Sequence, residues 1–141
     1  MTEEFRKKFM LDQLTLYENK SWVVSVRPAQ ITVGSLVISA KSNVDSLSEM
    51  DFSEGASFFE CCRVSENLLK KAFNPIKFNY LALMLVDPLV HFHLIPRYER
   101  SIGFEKTNYS DDAWPKPIDI LHCCGADPER VLVKLKEQGN Y

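Results

Sequence analysis

The sequence predicts an α+β fold built around an antiparallel sheet. Two short β-branched segments come before one long amphipathic segment, and two further apolar segments follow it on either side of an Asp87-Pro88 turn. Strands that occur in runs, with the helices set apart from them, are typical of this class. A length of 141 residues fits one compact domain, and no repeat or linker divides the chain. We therefore expect residues 1–141 to form a single domain.

A helix over residues 4–18 is the first element that the sequence predicts. Thr2 can accept a hydrogen bond at its N-terminus, and the two glutamates of its first turn suit the helix dipole. Two strands follow, Trp22–Val26 and Gly34–Ala40, and Arg27-Pro28 ends the first of them. The helix is predicted by apolar side chains at helical spacing, namely Phe5, Phe9, Met10, Leu14 and Tyr17.

The long amphipathic segment predicts the main helix. Ser46 and Glu49 have the spacing of a capping box, so we expect the helix to begin there and to run to about Ala72. Two lysines suit its C-terminal dipole, and Asn74-Pro75 stops it. Its expected buried stripe comprises Phe58, Cys62, Leu69 and Phe73, with Cys61 and Leu68 beside them.

The remaining chain predicts two strands, a loop and a short helix. We expect a long strand over Lys77–Val86, apolar enough to be buried on both faces, and an antiparallel strand over Leu89–Ile95. A polar and aromatic loop then extends from Arg97 to Pro117. Asp127 can cap a final helix over Asp127–Gln138, because a proline stands at its first helical position.

The charge balance argues against several classes of function. Seventeen lysines and arginines stand against nineteen acidic residues, which gives a net charge of −2, and no basic block occurs. A face that binds nucleic-acid polymers through their phosphates is therefore not expected. The longest apolar run, Tyr80–Val86, is far too short to cross a membrane. Because the acidic N-terminus does not resemble a signal peptide, we expect a cytoplasmic protein without membrane contact.

The four cysteines form two adjacent pairs, Cys61-Cys62 and Cys123-Cys124. Neither pair has the CxxC spacing of a zinc ribbon or finger. We interpret all four as reduced thiols that pack as small apolar side chains in a cytosolic protein. An alternative interpretation joins Cys62 and the second pair to His122 in a metal site.

Two of the three histidines, His91 and His93, lie in one predicted strand. Alternation places His91, His93 and Ile95 on one face of the sheet, with Phe92 and Leu94 on the other. Two imidazoles on one face can support metal binding, acid–base chemistry or nucleophilic attack. Zinc would need further ligands, and the nearby sequence offers only Asp87 and Glu99. A neutral imidazole can attack phosphorus without a metal if its second nitrogen is held as a donor.

The sequence around these histidines resembles the core of the histidine triad family. In that family three histidines alternate with apolar residues after a long strand and a turn, and the segment often ends in Pro-Arg. Residues 91–97, His-Phe-His-Leu-Ile-Pro-Arg, align the family's middle histidine with His91 and its third with His93. Gly34–Ile38 is similar to the family's glycine and following strand, and Asn79-Tyr80 is similar to the polar start of the strand before the triad.

The resemblance covers roughly residues 5–100, which we take as the core, while residues 101–141 form a tail with the short helix. It implies a five-stranded antiparallel sheet, two main helices and a homodimer, for which the helix after Ser46 exposes Phe58 and Phe59. It also implies a hydrolase or transferase that binds nucleotides and cleaves at the α-phosphorus. His91 would form the nucleotidyl-histidine intermediate, and His93 would bind and neutralise phosphate oxygens. No metal and no cofactor is implied.

The chain differs from the family pattern at four places. Leu89 stands at the first triad histidine, Ser35 replaces a histidine that often follows the glycine, and Val86-Asp87-Pro88 replaces a Gly-Gln-Ser/Thr segment. The ribose-binding acid or amide of the first strand is replaced near Arg27. The predicted substrate-binding residues are Arg27 and Gln30, as cation and amide, together with Asn79 and Arg97.

We weigh this enzyme against two rivals. One is a non-catalytic homodimer that binds nucleotides, and the other is a metal-dependent phosphoesterase that uses His91 and His93. The dinucleoside polyphosphates and the nucleoside phosphoramidates are the expected substrate classes of the enzyme.

Overall fold

The computed structural model describes residues 1–139 and contains a five-stranded antiparallel sheet. The strands have the spatial order β1-β2-β3-β5-β4, so β5 lies inside the sheet and β4 at its edge. This arrangement confirms the predicted fold class. The five strands are β1 (Thr15–Glu18), β2 (Trp22–Val26), β3 (Leu36–Ala40), β4 (Lys77–Leu81) and β5 (His91–Arg97).

Within residues 1–139, four α-helices accompany this sheet, and a separate two-stranded sheet follows it in the chain. The helices are α1 (Glu3–Lys8), α2 (Leu11–Leu14), α3 (Phe52–Phe73) and α4 (Pro128–Lys136). The second sheet is a hairpin of β6 (Ile102–Phe104) and β7 (Thr107–Tyr109). No helix in the described part of the chain is both long and apolar enough to cross a membrane.

The two faces of the sheet carry different layers. The side chains of α3 and α4 form the main core with one face, through Leu69, Leu135 and the strand residues Ile38 and Leu94. On the other face Phe5 of α1, the C-cap residue Phe9 and Leu11 of α2 pack against Val23 and Val37, which alternate with main-core residues. The N-terminal helices are therefore the cover of the second face.

The N-terminal segment corrects the predicted helix over residues 4–18. Thr2 does cap α1, since its hydroxyl accepts from the Phe5 backbone amide at 3.1 Å, but that helix ends at Lys8. Met10 takes a left-handed conformation at φ 53°, which interrupts the helix. The chain then leaves helical geometry at Thr15, because β1 gains its backbone hydrogen bonds by pairing with β2.

The long helix begins later than Ser46. Asp51 caps α3 by accepting from the Glu54 amide at 2.9 Å, and Glu54 accepts from the Asp51 amide at 3.1 Å. Ser46 instead precedes a short 3-10 turn at Leu47–Glu49, where its side chain makes no cap hydrogen bond. The stop at Asn74 is confirmed, with Asn74 left-handed at φ 49°. Of the expected stripe, Phe58 and Cys62 are only partly buried, whereas Ser65 is fully buried.

The strand predicted over Lys77–Val86 ends at Leu81, and it is not buried on both faces. Leu85 and Val86 are 77% and 86% exposed, because an irregular segment connects the edge strand β4 to β5. The next strand begins at His91 rather than Leu89 and extends through Arg97, whose partner across the sheet is Lys77.

In the tail after β5, the structure differs from the prediction in the first loop and agrees with it at the final helix. The expected loop from Arg97 to Pro117 contains the β6–β7 hairpin, in which Ile102 lies opposite Tyr109. The final helix is confirmed, since the Asp127 carboxylate accepts from the Glu129 amide at 3.0 Å and proline opens the first turn.

Candidate functional site

His91 and His93 lie next to each other on the inner strand β5, and their ring centroids are 5.1 Å apart. Across the sheet, Ser39 is the partner of His91 and Val37 is the partner of His93. The predicted alternation is confirmed, because Val37 belongs to the face covered by α1 while Leu94 belongs to the main core. The rigid centre of the sheet thus holds both imidazoles on one face.

The backbone of the preceding segment orients the His91 ring. The carbonyl oxygen of Leu89 lies 2.6 Å from His91 Nδ1. A carbonyl can only accept a hydrogen bond, so Nδ1 carries the proton and donates it. In the neutral ring the lone pair then stands on Nε2, the nitrogen that is free to act as a nucleophile or a ligand.

A cation orients the His93 ring. Arg27 Nε donates to His93 Nδ1 over 3.3 Å. Burial lowers the pKa of His93 to about 4, and the positive charge of Arg27 and the neighbouring His91 act in the same direction. Because Nδ1 accepts and the ring is neutral near pH 7, His93 carries its proton on Nε2.

Helix α1 covers the histidine pair. The Phe5 and Phe9 rings lie 5.4 and 5.6 Å from the His91 ring, between centroids, and Phe9 lies 6.4 Å from His93. His91 is 4% exposed and His93 7% exposed as a result.

Two polar contacts fasten α1 in this position. Lys8 Nζ lies 2.7 Å from a carboxylate oxygen of Asp87, in the segment before β5. The N-terminal ammonium donates to the Lys41 carbonyl oxygen at 2.8 Å, just beyond β3. The cover is therefore tied to the segment that precedes β5 and to the chain just beyond β3.

Arg27 is brought to the site by the end of β2. Its backbone amide donates to the Ser35 carbonyl at 2.9 Å, and its guanidinium Nη1 donates to the Ala29 carbonyl. The side chain is half-buried, and burial lowers the pKa of its guanidinium. The structure thus places one of the predicted substrate-binding residues in direct contact with the histidine pair.

Gln30 holds the loop between β2 and β3. Its amide nitrogen donates to the carbonyl oxygens of Arg27 and Ser35 at 2.7 and 2.8 Å. Its amide oxygen accepts from the backbone amides of Gly34 and Ser35 at 2.8 and 3.1 Å. Gln30 is 0% exposed, so its position does not fit the predicted substrate contact: every polar atom of the side chain serves the loop.

Arg97 and Asn79 belong to a buried polar network at the other end of β5. The Arg97 guanidinium donates twice to the Asp111 carboxylate, at 2.6 and 3.2 Å, and once each to Asn79 Oδ1 and the Lys116 carbonyl. It also lies 5.6 Å from the centre of the Trp114 ring. Arg97 is 2% exposed, and its charge is balanced by Asp111 rather than free for a substrate phosphate.

Asn79 and Arg97 also line a surface cavity of about 650 Å³ between β4 and the loop of residues 111–118, which we call the Trp114 loop. This cavity does not include either histidine of the pair or Arg27. Of the predicted site residues, the structure therefore brings together His91, His93 and Arg27, and it places Asn79 and Arg97 in a second group.

Metal ligands are not clustered in the described residues. Within 1–139, no group of three or more histidine, cysteine, aspartate or glutamate side chains could hold a metal ion. All four cysteines are free, and the alternative joining Cys62 to His122 and the second pair is not supported there.

Sequence reasoning missed the contacts around the histidines, although it named some of the residues. Phe5 and Phe9 were identifiable as an apolar stripe, but the element that they cover depends on how α1 docks. Asp111 lies in the polar and aromatic loop that the sequence predicts from Arg97 to Pro117. Its pairing with Arg97 is a long-range contact that spacing alone does not predict.

Comparison with solved structures identifies the fold. A histidine triad protein from Sinorhizobium meliloti superimposes with a TM-score of 0.70 at 19% identity, and the alignment covers 98% of this chain and 96% of that one. One from Bradyrhizobium japonicum has a TM-score of 0.69 at 18% identity, with the same two coverages. A hypothetical histidine triad nucleotide-binding protein from Sulfolobus tokodaii gives 0.64 at 15% identity, covering 89% of this chain and 82% of that one.

Sequence comparison adds no further relative. No protein-family profile matches the chain, and no curated protein matches it at a significant level. The likeness consequently rests on three-dimensional structure, which extends over nearly the whole chain in two of these neighbours. The chain has the histidine triad fold.

Proposed function

We propose that the protein binds nucleotides and acts as a hydrolase or transferase, with His91 attacking the α-phosphorus of the substrate. One observation carries the proposal: the Leu89 carbonyl accepts from His91 Nδ1 at 2.6 Å and so leaves the lone pair on Nε2. The fold supports nucleotide binding, because the neighbour from Sulfolobus tokodaii is a histidine triad nucleotide-binding protein by name.

The reaction proceeds in two displacements. His91 Nε2 donates its electron pair to phosphorus as the bond from phosphorus to the leaving oxygen or nitrogen breaks, and the leaving group takes that bonding pair. Water, or another acceptor, then attacks phosphorus, loses a proton and returns the electron pair of the phosphorus–nitrogen bond to Nε2. Two accessible steps replace one difficult step, and no metal takes part.

The substrate phosphates lie against Arg27 and His93. Arg27 contributes positive charge and His93 donates a hydrogen bond from Nε2, so both oppose the negative charge of the transferring group. Dinucleoside polyphosphates and nucleoside phosphoramidates are the substrate classes, since both carry a substituted α-phosphorus. Gln30 supports the site indirectly, by fixing the loop that carries Arg27, whereas Asn79 and Arg97 lie in the separate group at the other end of β5.

Helix α1 moves away from the histidine pair before a substrate binds. With His91 only 4% exposed beneath Phe5 and Phe9, phosphorus cannot approach Nε2 in the closed arrangement. The left-handed Met10 is the place where α1 pivots, because it separates α1 from α2.

A non-catalytic nucleotide-binding protein is the second candidate. The closed aromatic cover favours it, together with Leu89 at the place of a histidine.

For either candidate function we propose a homodimer, which would bury the exposed Phe52 and Phe59. We also propose a cytoplasmic location, which suits four free cysteines.

Single-turnover hydrolysis of a dinucleoside polyphosphate and of a nucleoside phosphoramidate, with a metal chelator present, tests the proposal. The wild type and the control His122→Ala turn over, since His122 is exposed and lies outside the histidine pair. His91→Ala loses several orders of magnitude in rate and still binds nucleotide, whereas His93→Ala loses about 2–4 kcal/mol of transition-state stabilisation. Nucleotide binding by the wild type without turnover on either substrate would favour the second candidate.

A further inference from the structure

We propose that Arg27 is a positioning residue that locks His93 in the tautomer with its proton on Nε2. In this arrangement His93 acts as a neutral hydrogen-bond donor, and Arg27 itself supplies the fixed positive charge beside it. The tautomer follows from this chain's own contacts, while the use of that donor on a phosphate oxygen rests on the proposed function.

Arg27 is held on three sides, so that its Nε points at the histidine. Its backbone amide and carbonyl bond to Ser35 and to the Gln30 side chain, at 2.9 and 2.7 Å. Its Nη1 donates to the Ala29 carbonyl. Because Gln30 is completely buried with all its polar atoms used, the loop that aims Arg27 is itself fixed.

The chemistry of the guanidinium and the imidazole allows only one placement of the proton on the His93 ring. A guanidinium has only donors and keeps its proton under all ordinary conditions. The contact of 3.3 Å between Arg27 Nε and His93 Nδ1 therefore requires Nδ1 to accept. A second proton on the ring would have to be placed at Nδ1, directly against the Arg27 donor, so the site opposes the imidazolium form.

The other charged groups around His93 do not cancel this effect. His91 lies beside it on β5 and lowers its pKa, as does Arg27, while Asp87 from the preceding segment raises it. Lys8 of α1 pairs with Asp87 at 2.7 Å, which offsets the negative charge of that carboxylate. Across the sheet the partners of His93 are Val37 on β3 and Leu81 on β4, which carry no charge.

Arg27 therefore differs in role from an ordinary phosphate-binding arginine. One of its donors is committed to an imidazole, and its influence on a bound anion passes partly through that ring. His93 Nε2–H, facing away from Nδ1, is left to donate to an anionic oxygen without a proton having to be taken up first.

Nitrogen-15 NMR of the imidazole rings in the ligand-free protein tests the inference. We compare the wild type with Arg27→Gln, Arg27→Lys and the control Arg130→Gln, whose arginine forms an exposed pair with Glu105. The wild type and the control show His93 as the Nε2–H tautomer, with a pKa of about 4. Arg27→Gln mixes the tautomers and raises the His93 pKa by about one unit, since burial remains, and Arg27→Lys restores part of the low pKa.

A wild-type His93 found with its proton on Nδ1 would overturn the inference. So would an Arg27→Gln protein that keeps both the wild-type tautomer and the wild-type pKa. Backbone amide spectra of each variant verify that the fold is retained. Because the readout needs no substrate, it is independent of nucleotide turnover: an inactive wild type with the Nε2–H tautomer contradicts the proposed enzyme and leaves the role of Arg27 standing.

Discussion

Two histidines on one strand are held in opposite tautomers by their neighbours. The Leu89 carbonyl accepts from Nδ1 of His91, whereas Arg27 donates to Nδ1 of His93. One ring is thereby left with a lone pair at Nε2 and the other with a proton there. A nucleophile beside a donor suits attack on an anionic phosphorus, because the donor can approach an oxygen that the nucleophile does not contact.

The low pKa of His93 predicts a loss of stability in mild acid. The pKa of His93 is about 4 in the folded protein, against the ordinary value of 6.5 for a solvent-exposed histidine in the unfolded chain, so the unfolded chain binds more protons between these values. His93 therefore destabilises the fold as the pH falls from 6.5 towards 4. The expected loss between pH 7 and pH 5 is about 2 kcal/mol in the free energy of unfolding.

Urea unfolding of the wild type and of His93→Gln at both pH values isolates this contribution. Carboxylates titrate in both proteins, so the difference between their pH dependences belongs to His93. Equal dependences in the two proteins would mean that His93 is protonated with an ordinary pKa in the fold.

At the scale of elements, α1 controls access to the histidine pair. Lys8→Ala removes a partly exposed ion pair, which is worth at most about 1 kcal/mol, and so raises the open fraction about fivefold or less. Phe9→Ala removes a buried ring and raises it on the order of 100-fold, for a loss of about 3 kcal/mol. The rate at which diethyl pyrocarbonate modifies His91 and His93, read by mass spectrometry, measures this opening.

Lys7→Ala is the matched control, because Lys7 is exposed on the same helix. Its modification rate stays at the wild-type value. If Phe9→Ala is modified as slowly as the wild type although it remains folded, α1 does not close the site.

The Arg97–Asp111 pair joins β5 to the Trp114 loop. Asp111→Ala leaves a buried guanidinium without its carboxylate and costs about 3–5 kcal/mol in the free energy of unfolding. Glu105→Ala, which breaks the exposed pair with Arg130, costs no more than about 1 kcal/mol. Denaturant titration of both variants compares them, and equal small losses would mean that the buried pair does not hold the loop.

The sequence predicted those elements whose signals are local. Strand β2 and the caps at Thr2 and Asp127 are where the pattern placed them, because each depends on neighbouring residues. Strand β1 was missed, since its apolar spacing also fits a helix and only pairing with β2 decides between the two. The predicted start of α3 was wrong because both Ser46 and Asp51 begin a capping-box pattern in the sequence, and only Asp51 forms the capping box in the structure.

At the scale of the whole molecule, an apolar groove predicts self-association. Phe52 is 100% exposed and Phe59 66% exposed, and they line a groove of about 480 Å³ with Leu47 and Met50. Light scattering at low micromolar concentration measures a homodimer for the wild type, and Phe52→Asp with Phe59→Asp shifts it towards the monomer. A wild type that remains a monomer of 16.2 kDa would contradict the prediction.

The composition of the site could be predicted only in part. The histidine pair was visible because strand alternation fixes which residues share a face. The contacts of Gln30 and Arg97 could not be predicted. Whether a polar side chain binds a substrate or completes a buried network depends on partners that are distant in the chain. Asp111 lies 14 residues from Arg97, and the loop that Gln30 supports closes only when β2 and β3 pair.

Trapping of a covalent intermediate tests the central claim most directly. The protein is mixed with a dinucleoside polyphosphate or a nucleoside phosphoramidate, quenched in alkali within one turnover, digested and sequenced by mass spectrometry. The proposal predicts one acid-labile nucleotidyl group on His91, formed and lost at rates that account for turnover, and none on the His91→Ala protein. Turnover without any adduct on His91, or an adduct on His93 instead, would contradict it.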